Sequence, residues 1–444
     1  MSKITKRILS SALCCALLLS FTACTGNGES TEAITDTVAV TDAVTDAETL
    51  PPEETDGVVS VLAAGDNLVH EAVLNDALSR GRKNPNKTKR GEYFFAPMYD
   101  DVKDVIASAD LAIINQESQI CGEGFTPGGY PEFCTPVEMG KTLMDLGFNA
   151  IVTANNHMLD KGDDGLVGSY NYWKDKPVIQ VGTDMSEEDG MDIAIFEKEG
   201  IKIALLAYTD VLNGSLKNSD YADYTYYNPH VAEKQIKKAK ELADVVIVSM
   251  HWGEENTFTV NNSQKTAAKH LTRCGVDVIL GHHPHVVQSV EWIEAGGNKT
   301  LCVYSLGNFL STMTGSYNMV GMMLGFDIVS ENDDVYVTNV KVIPTVTYYS
   351  KSRDGVCVYL MENYTRFLAV NHGCNAPSDE ATFKSYITDN IKEEFLPDTT
   401  IKSNATPSLP FLRMKNSISS AISLSVRPTA KCSKTKSKVS SVSF

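Results

Sequence analysis

The body of the chain, from Val58 to about Pro397, alternates short apolar runs with amphipathic stretches. Val58–Ala64, Leu111–Ile114, Ala150–Thr153, Ile201–Ala207, Val245–Ser249 and Val276–Leu280 are continuous apolar runs, the pattern of buried strands. Further strands are predicted at Leu301–Ser305 and around Val335–Ile343, and helices near Met98–Ala107, Ala232–Leu242 and Gln264–Cys274. Thr135-Pro136-Val137-Glu138 predicts a helix start, with Thr135 as N-cap, Pro136 at N1 and Glu138 closing a capping box. That helix runs to Leu146 and stops at Gly147. This βα alternation predicts a sheet of parallel strands whose C-terminal ends share one edge, where open α/β sheets build their sites.

Five of those strand ends are polar: Asp66, Glu117, Asn156-His157, His251, and His283 with His285. Each alone has a plain structural reading, an Asp as a helix cap or a His as a core residue with a partner. Together they are harder to dismiss, because five of the nine histidines lie at three strand ends. Burying so many unpaired polar groups is costly unless something binds them. Mixed Asp, Glu, Asn and His ligands suit a borderline or hard divalent ion, Mn, Zn or Fe. The ligand count allows one ion, or two sharing a bridging carboxylate. Two such ions clamp an oxyanion and lower the pKa of a bound water, the apparatus for hydrolysing phosphate esters or related bonds.

The ends of the chain differ from its body. Lys3, Lys6 and Arg7 precede an apolar run, Ile8–Phe21, which is too short for a comfortable membrane span and reads as a secretory signal over residues 1–23. Phe21-Thr22-Ala23-Cys24 resembles a bacterial lipobox, with Phe21 in place of the usual Leu. Cys24 would then carry lipid and hold the protein on the outer face of the cell membrane. Residues 24–57 repeat Thr-Asp-Ala, carry only acidic charge and end in Pro51-Pro52-Glu53-Glu54, the composition of an extended tether. Residues 401–444 carry only basic charge amid Ser, Thr and Pro, as a solvated tail or a contact for an anionic polymer. The net charge of -17 excludes general nucleic-acid binding. Cys121 and Cys134 flank a Gly/Pro-rich loop and could pair in an oxidising exterior, whereas Cys274 and Cys302 read as buried thiols.

Ala154-Asn155-Asn156-His157-Met158-Leu159-Asp160-Lys161-Gly162 is similar to the Asn-Asn-His-x-x-Asp-x-Gly motif of the CapA-type poly-γ-glutamate capsule-synthesis family. Gly65-Asp66, Asn115-Gln116-Glu117-Ser118, His251-Trp252-Gly253-Glu254-Glu255, Gly281-His282-His283-Pro284-His285 and Tyr304-Ser305-Leu306-Gly307-Asn308-Phe309 resemble its other motifs, in order. The resemblance implies an α/β fold, a four-layer α/β/β/α sandwich of metallophosphoesterase type over residues 58–350. Residues 351–400 would be an extension, read as a helix-strand unit completing the sandwich.

The resemblance also implies roles. Glu117 would bridge two ions; Asn156, His251 and His283 would bind one, and Asp66 and His285 the other. His157 would stabilise the transition state or protonate the leaving group. Asp160 would fix the loop after His157. Trp252 and Glu255 would shape the site or contact substrate, Trp252 otherwise filling core. Asn308 would orient substrate or a ligand histidine, or simply form a turn. His282 receives no task. The superfamily's first motif is Asp-x-His, but here it reads Asp66-Asn67-Leu68, so one imidazole is missing. His70 is either its substitute or a surface helix residue.

Three functions are compatible with this reading. The first is a surface-anchored, metal-dependent hydrolase-like protein in synthesis, export or attachment of an anionic exopolymer such as poly-γ-glutamate. The second is a non-catalytic scaffold or polymer-binding subunit of a membrane polymer synthase. The third is a metallophosphoesterase on wall polymers or nucleotides, which the missing histidine disfavours.

Overall fold

The computed structural model describes residues 57–84, 92–122, 124–332 and 334–397. The signal segment, Cys24 with the linker up to Asp56, and the basic tail lie outside the described residues. The strands are β1 (Gly57–Asn67), β2 (Leu111–Asn115), β3 (Ala150–Val152), β4 (Ile179–Val181), β5 (Ala194–Lys198), β6 (Ile201–Thr209) and β7 (Val245–His251). There follow β8 (Val278–His282), β9 (Val290–Ala295), β10 (Asn298–Val303), β11 (Asn308–Leu310), β12 (Val320–Glu331), β13 (Asp334–Tyr348) and β14 (Cys357–Leu360). The helices are α1 (Glu71–Lys83), α2 (Lys103–Ser108), α3 (Val137–Leu146), α4 (Gly162–Lys174), α5 (Ala222–Thr225), α6 (Pro229–Leu242), α7 (Asn262–Cys274), α8 (Arg366–Asn371) and α9 (Glu380–Thr388).

The strands form two sheets rather than one. The first runs β14-β13-β12-β1-β2-β3-β4, with β11 also on β1; the second runs β5-β6-β7-β8-β10-β9. β1 to β4 are mutually parallel, as are β6, β7, β8 and β10. Alternation along the second sheet fixes the layer order, because successive side chains point to opposite faces. Ile203 and Leu205, Val245 and Ile247, and Val278 and Leu280 join a core with β1 to β3 and with Val73, Ile106, Leu143 and Trp173 of α1 to α4. The intervening Ala204 and Leu206, Val246 and Val248, and Ile279 pack instead on Ala232 and Ile236 of α6 and Ala268 and Leu271 of α7. The layers are therefore helix, sheet, sheet, helix, the α/β/β/α order that the resemblance implied. The antiparallel β12, β13 and β14 extend the first sheet, and Val356, Phe383, Ile387 and Phe395 from beyond residue 350 enter its core.

Local expectations fared unevenly. Gly147 ends α3 in the left-handed region, at φ 108°, with its N–H on Leu143 and Met144 carbonyls. The capping box at Thr135 is not formed: Pro136 is the N-cap, and the Thr135 hydroxyl donates to Ser118 O at 3.0 Å. A capping box forms instead at Asn261 and Gln264, where α7 begins. The helix expected over Met98–Ala107 is a short 3-10 turn, Ala96–Tyr99, followed by α2. Cys121 and Cys134 are free thiols.

Candidate metal centre

Register places the polar strand ends side by side. Asp66 is paired with Asn115 on β2 and with Asn308 on β11, and His251 on β7 with His282 on β8. The two sheets are joined at this end by the segment Tyr304–Asn308. Its Gly307 carbonyl accepts the Asp66 N–H at 2.9 Å, and its Leu306 N–H donates to Gly281 O at 3.1 Å. Both contacts need glycine on the strand side. A Cβ on Gly65 would lie 2.0 Å from Gly307 O, and one on Gly281 would lie 2.0 Å from Tyr304 O. The predicted single edge is thus a seam between two sheets. β1, β2 and β3 lead to Asp66, Glu117 and Asn156-His157 on one side; β7 and β8 lead to His251, His283 and His285 on the other.

On the Asp66 side of the seam both carboxylate oxygens are hydrogen-bonded, while Asn115 Oδ1 is buried without a partner. Asp66 is completely buried. Its Oδ1 accepts from Asn115 Nδ2 at 2.8 Å and meets His282 Nδ1 at 3.0 Å. Its Oδ2 accepts from the His283 N–H at 3.3 Å and lies 3.3 Å from His285 Nδ1. Burial pushes the Asp66 carboxyl up, but its hydrogen bonds with His282 and His285 outweigh that and hold it well below its usual range. For His285, burial opposes charge, yet the Glu117 and Asp66 carboxylates prevail and raise it to about 9. His285 Nδ1 also faces Asn308 Oδ1 at 3.0 Å, so Asn308 orients this histidine. The turn is strained: His283 and His285 have φ of 94° and 56°, at a cost of about 1–3 kcal/mol each. Besides the Asp66 contact, Asn256 N–H holds Pro284 O at 2.8 Å and Asn318 Nδ2 holds His285 O at 3.1 Å.

The Glu117 side is the opposite. Glu117 is completely buried, and neither carboxylate oxygen has a hydrogen-bond partner. The Nδ1 atoms of His251 and His283 are likewise buried and unpartnered. Glu117, His251 and His283 each bring a ligand atom within 4.8 Å of the others'. Burial drives Glu117 well above its usual range and His251 well below its own, and burial with the charge of His285 takes His283 down to about 3. Neutral imidazoles beside an unpaired buried carboxylate are the donor set of a divalent ion. The residues therefore fit a metal. Asn156 Oδ1 meets His251 Nε2 at 2.9 Å, placing Asn156 in the same group. Two further sets reach the same spacing, Asp66 with Glu117 and His285, and Glu255 with His283 and His285.

His157 stands beside this group on the loop after β3. Its Nδ1 is 2.7 Å from Asp160 Oδ2, both side chains being buried, and the same oxygen accepts the Phe133 N–H at 2.7 Å. Phe133 packs edge-on to the His157 ring at 4.7 Å. Asp160 therefore fixes both the loop and the imidazole. Glu255 is exposed at the rim. Trp252 is not at the site. It lies in the outer core beneath α6 and α7, stacks on Tyr304 and donates to Tyr304 O at 2.9 Å. As the residue after His251 it points to the opposite face of the second sheet. His70 is not a surface residue: it is half-buried at the start of α1, accepts the Thr312 N–H at 3.3 Å and packs on Phe133.

Three contributors had no assigned role in the sequence. His282 and Asn115 hold Asp66, and strand register was their signal: a β8 that continues through Gly281 pairs His282 with His251. The third is Asn213. Its Oδ1 accepts from Asn156 Nδ2 at 3.2 Å, and its Nδ2 lies 3.3 Å from His157 Nδ1. It sits four residues beyond β6, too far from the strand end to be picked out by the rule that found the others.

Residues 60–313 match the family model described as "Bacterial capsule synthesis protein PGA_cap". The chain is 35% identical over 178 residues to the capsule biosynthesis protein CapA of Bacillus anthracis, covering 39% of this chain and 42% of that one. It is 33% identical over 178 residues to the PGA biosynthesis protein CapA of Bacillus subtilis (strain 168), covering 40% and 46%. The matched segment thus spans less than half the length of either relative. Among solved structures, the calcineurin-like phosphoesterase YfkN from Bacillus subtilis aligns with a TM-score of 0.37 at 16% identity, over 65% of this chain and 91% of that one.

Proposed function

The chain belongs to the bacterial capsule synthesis protein family PGA_cap, and on that premise we propose that it is a metal-dependent, hydrolase-like protein of anionic exopolymer assembly. The polymer class is that of poly-γ-glutamate, and the step is synthesis, export or attachment. The observation that carries this reading is the group of buried, unpartnered ligand atoms on Glu117, His251 and His283 beside a fixed His157.

A divalent ion bound by those three residues would polarise an oxyanion and lower the pKa of a coordinated water. Asp160 holds the Nδ1 side of His157, which leaves Nε2 to hand a proton to a departing group or to stabilise developing charge. Asn213 ties Asn156 and His157 together, so the ligand group and the acid keep one spacing. Phe133 covers one edge of His157 and limits water there. Anchoring through Cys24 on the outer face of the membrane would bring the site to the nascent polymer and its synthase, and belongs to the same proposal.

The test is complementation of a strain lacking the gene. His251→Ala and Glu117→Gln are expected to abolish polymer production while the protein remains folded and exported. Undiminished production by both variants would end the reading. The scaffold alternative draws on one observation, the Leu68 that stands where the related Asp-x-His motif has its imidazole and is only 2% exposed. It predicts full export with Asp66, Glu117 and His251 all replaced.

A further inference from the structure

We infer that the centre holds a single divalent ion, on Glu117, His251 and His283, and that Asp66 is a positioning residue for the His283-Pro284-His285 turn rather than a ligand. This rests on the metal reading above and goes beyond it. A carboxylate offers about four lone-pair positions. Those of Asp66 meet three hydrogen-bond partners, Asn115 Nδ2 and His282 Nδ1 on Oδ1 and the His283 N–H on Oδ2, and His285 Nδ1, which is hydrogen-bonded to Asn308 Oδ1, lies a further 3.3 Å from Oδ2. Ligation by Asp66 would displace donors that are themselves buried, at a cost in each case. It would also release the His283 N–H, which helps to hold a backbone in the left-handed region at φ 94°.

The neighbouring side chains on this side are committed elsewhere, apart from the buried amide oxygen Asn115 Oδ1, which has no partner but carries no charge. Leu68 is apolar and its N–H is tied to Leu310 O at 2.8 Å. The Asn67 side chain turns to Gln116 Oε1 at 2.7 Å and to Tyr99. His70 uses Nδ1 on the Thr312 N–H. His285 has its Nδ1 facing Asn308 and Asp66 and its Nε2 3.6 Å from Glu117 Oε1, so the imidazole stands between the two carboxylates. The Glu117 side, by contrast, keeps both Glu117 oxygens and the Nδ1 atoms of His251 and His283 without partners, His251 Nε2 alone meeting Asn156 Oδ1.

The experiment is metal content of the full chain after equilibrium dialysis against Mn(II), read by elemental analysis and by electron paramagnetic resonance. One equivalent with a mononuclear six-line spectrum is expected. Asp66→Asn should retain that equivalent, about 10- to 100-fold weaker because the turn is loosened, and Glu117→Gln should lose it. Two equivalents in the wild type, or an exchange-coupled spectrum, would overturn the inference while leaving the proposed function standing. No bound metal in the wild type would overturn both. If Asp66→Asn does not fold, the wild-type stoichiometry and spectrum still decide.

Discussion

Asp66 and Glu117 follow neighbouring parallel strands, are both fully buried, and have opposite surroundings. Asp66 has three hydrogen-bond partners, and neither oxygen of Glu117 has one. Burial alone raises a carboxyl pKa; hydrogen bonds and nearby imidazoles lower it. One carboxylate is therefore held ionised by hydrogen bonds, and the other has none, with His285 Nε2 3.6 Å away. The contrast separates a structural clamp from a ligand group within a few ångströms of chain.

The sharpest way to break the contrast is to remove each charge in turn from metal-free protein. Asp66→Asn should cost about 3–5 kcal/mol, the penalty for breaking one partner of a buried ion pair. Glu117→Gln should change stability by less than about 1 kcal/mol, or raise it, because it removes an uncompensated buried group. Urea denaturation of both variants measures the difference, and equal losses would erase the distinction. Next in size is the response to metal. Mn(II) at about 100 times its Kd should stabilise the wild type by about 2.7 kcal/mol. Neither Glu117→Gln nor His251→Ala should respond, which a thermal shift with and without chelator would reveal.

The pH dependence should also divide the two sides. In metal-free protein, native Glu117 keeps a proton that the unfolded carboxyl releases above about 4.3, so stability falls as pH rises through that window. Asp66 has the opposite sign: its contribution is present above about 3.9 and is lost as pH falls towards its lowered native value. His285, raised to about 9, adds a loss only above about 6.5. Between pH 4.5 and 6 the lowered His251 and His283 contribute with the opposite sign, so the Glu117 contribution is read by denaturation as the difference in slope between wild type and Glu117→Gln. The smallest effect expected is that of Asn213→Ala, which frees Asn156 and His157. It should weaken metal binding about 10-fold with little change in overall stability, as titration calorimetry would detect.

Much of the site was legible because parallel strands deliver their polar C-terminal residues to one end. Asp66, Glu117, Asn156, His157, His251, His283 and His285 all come together there. The exceptions have physical causes. Trp252 follows a ligand residue, so strand alternation turns it to the opposite face. Thr135 had the right residue type for a cap, but a tertiary acceptor, Ser118 O, took its hydroxyl. Asn213 lies on a loop whose path follows from packing rather than from periodicity. His70, which the sequence left open between a substitute for the missing imidazole and a surface helix residue, is half-buried against Phe133.

By itself the sequence determined eight of the fourteen strands among the described residues, the order of the motifs and the identity of the ligand-type residues, because local periodicity and residue chemistry do not depend on long-range contacts. The tertiary structure alone decided that these ends form a seam between two sheets, drawn together where Gly65 and Gly281 let the 304–308 segment approach. It also decided which buried carboxylate is paired and which is bare. That depends on donors 49 to 217 residues away, beyond the reach of any local pattern.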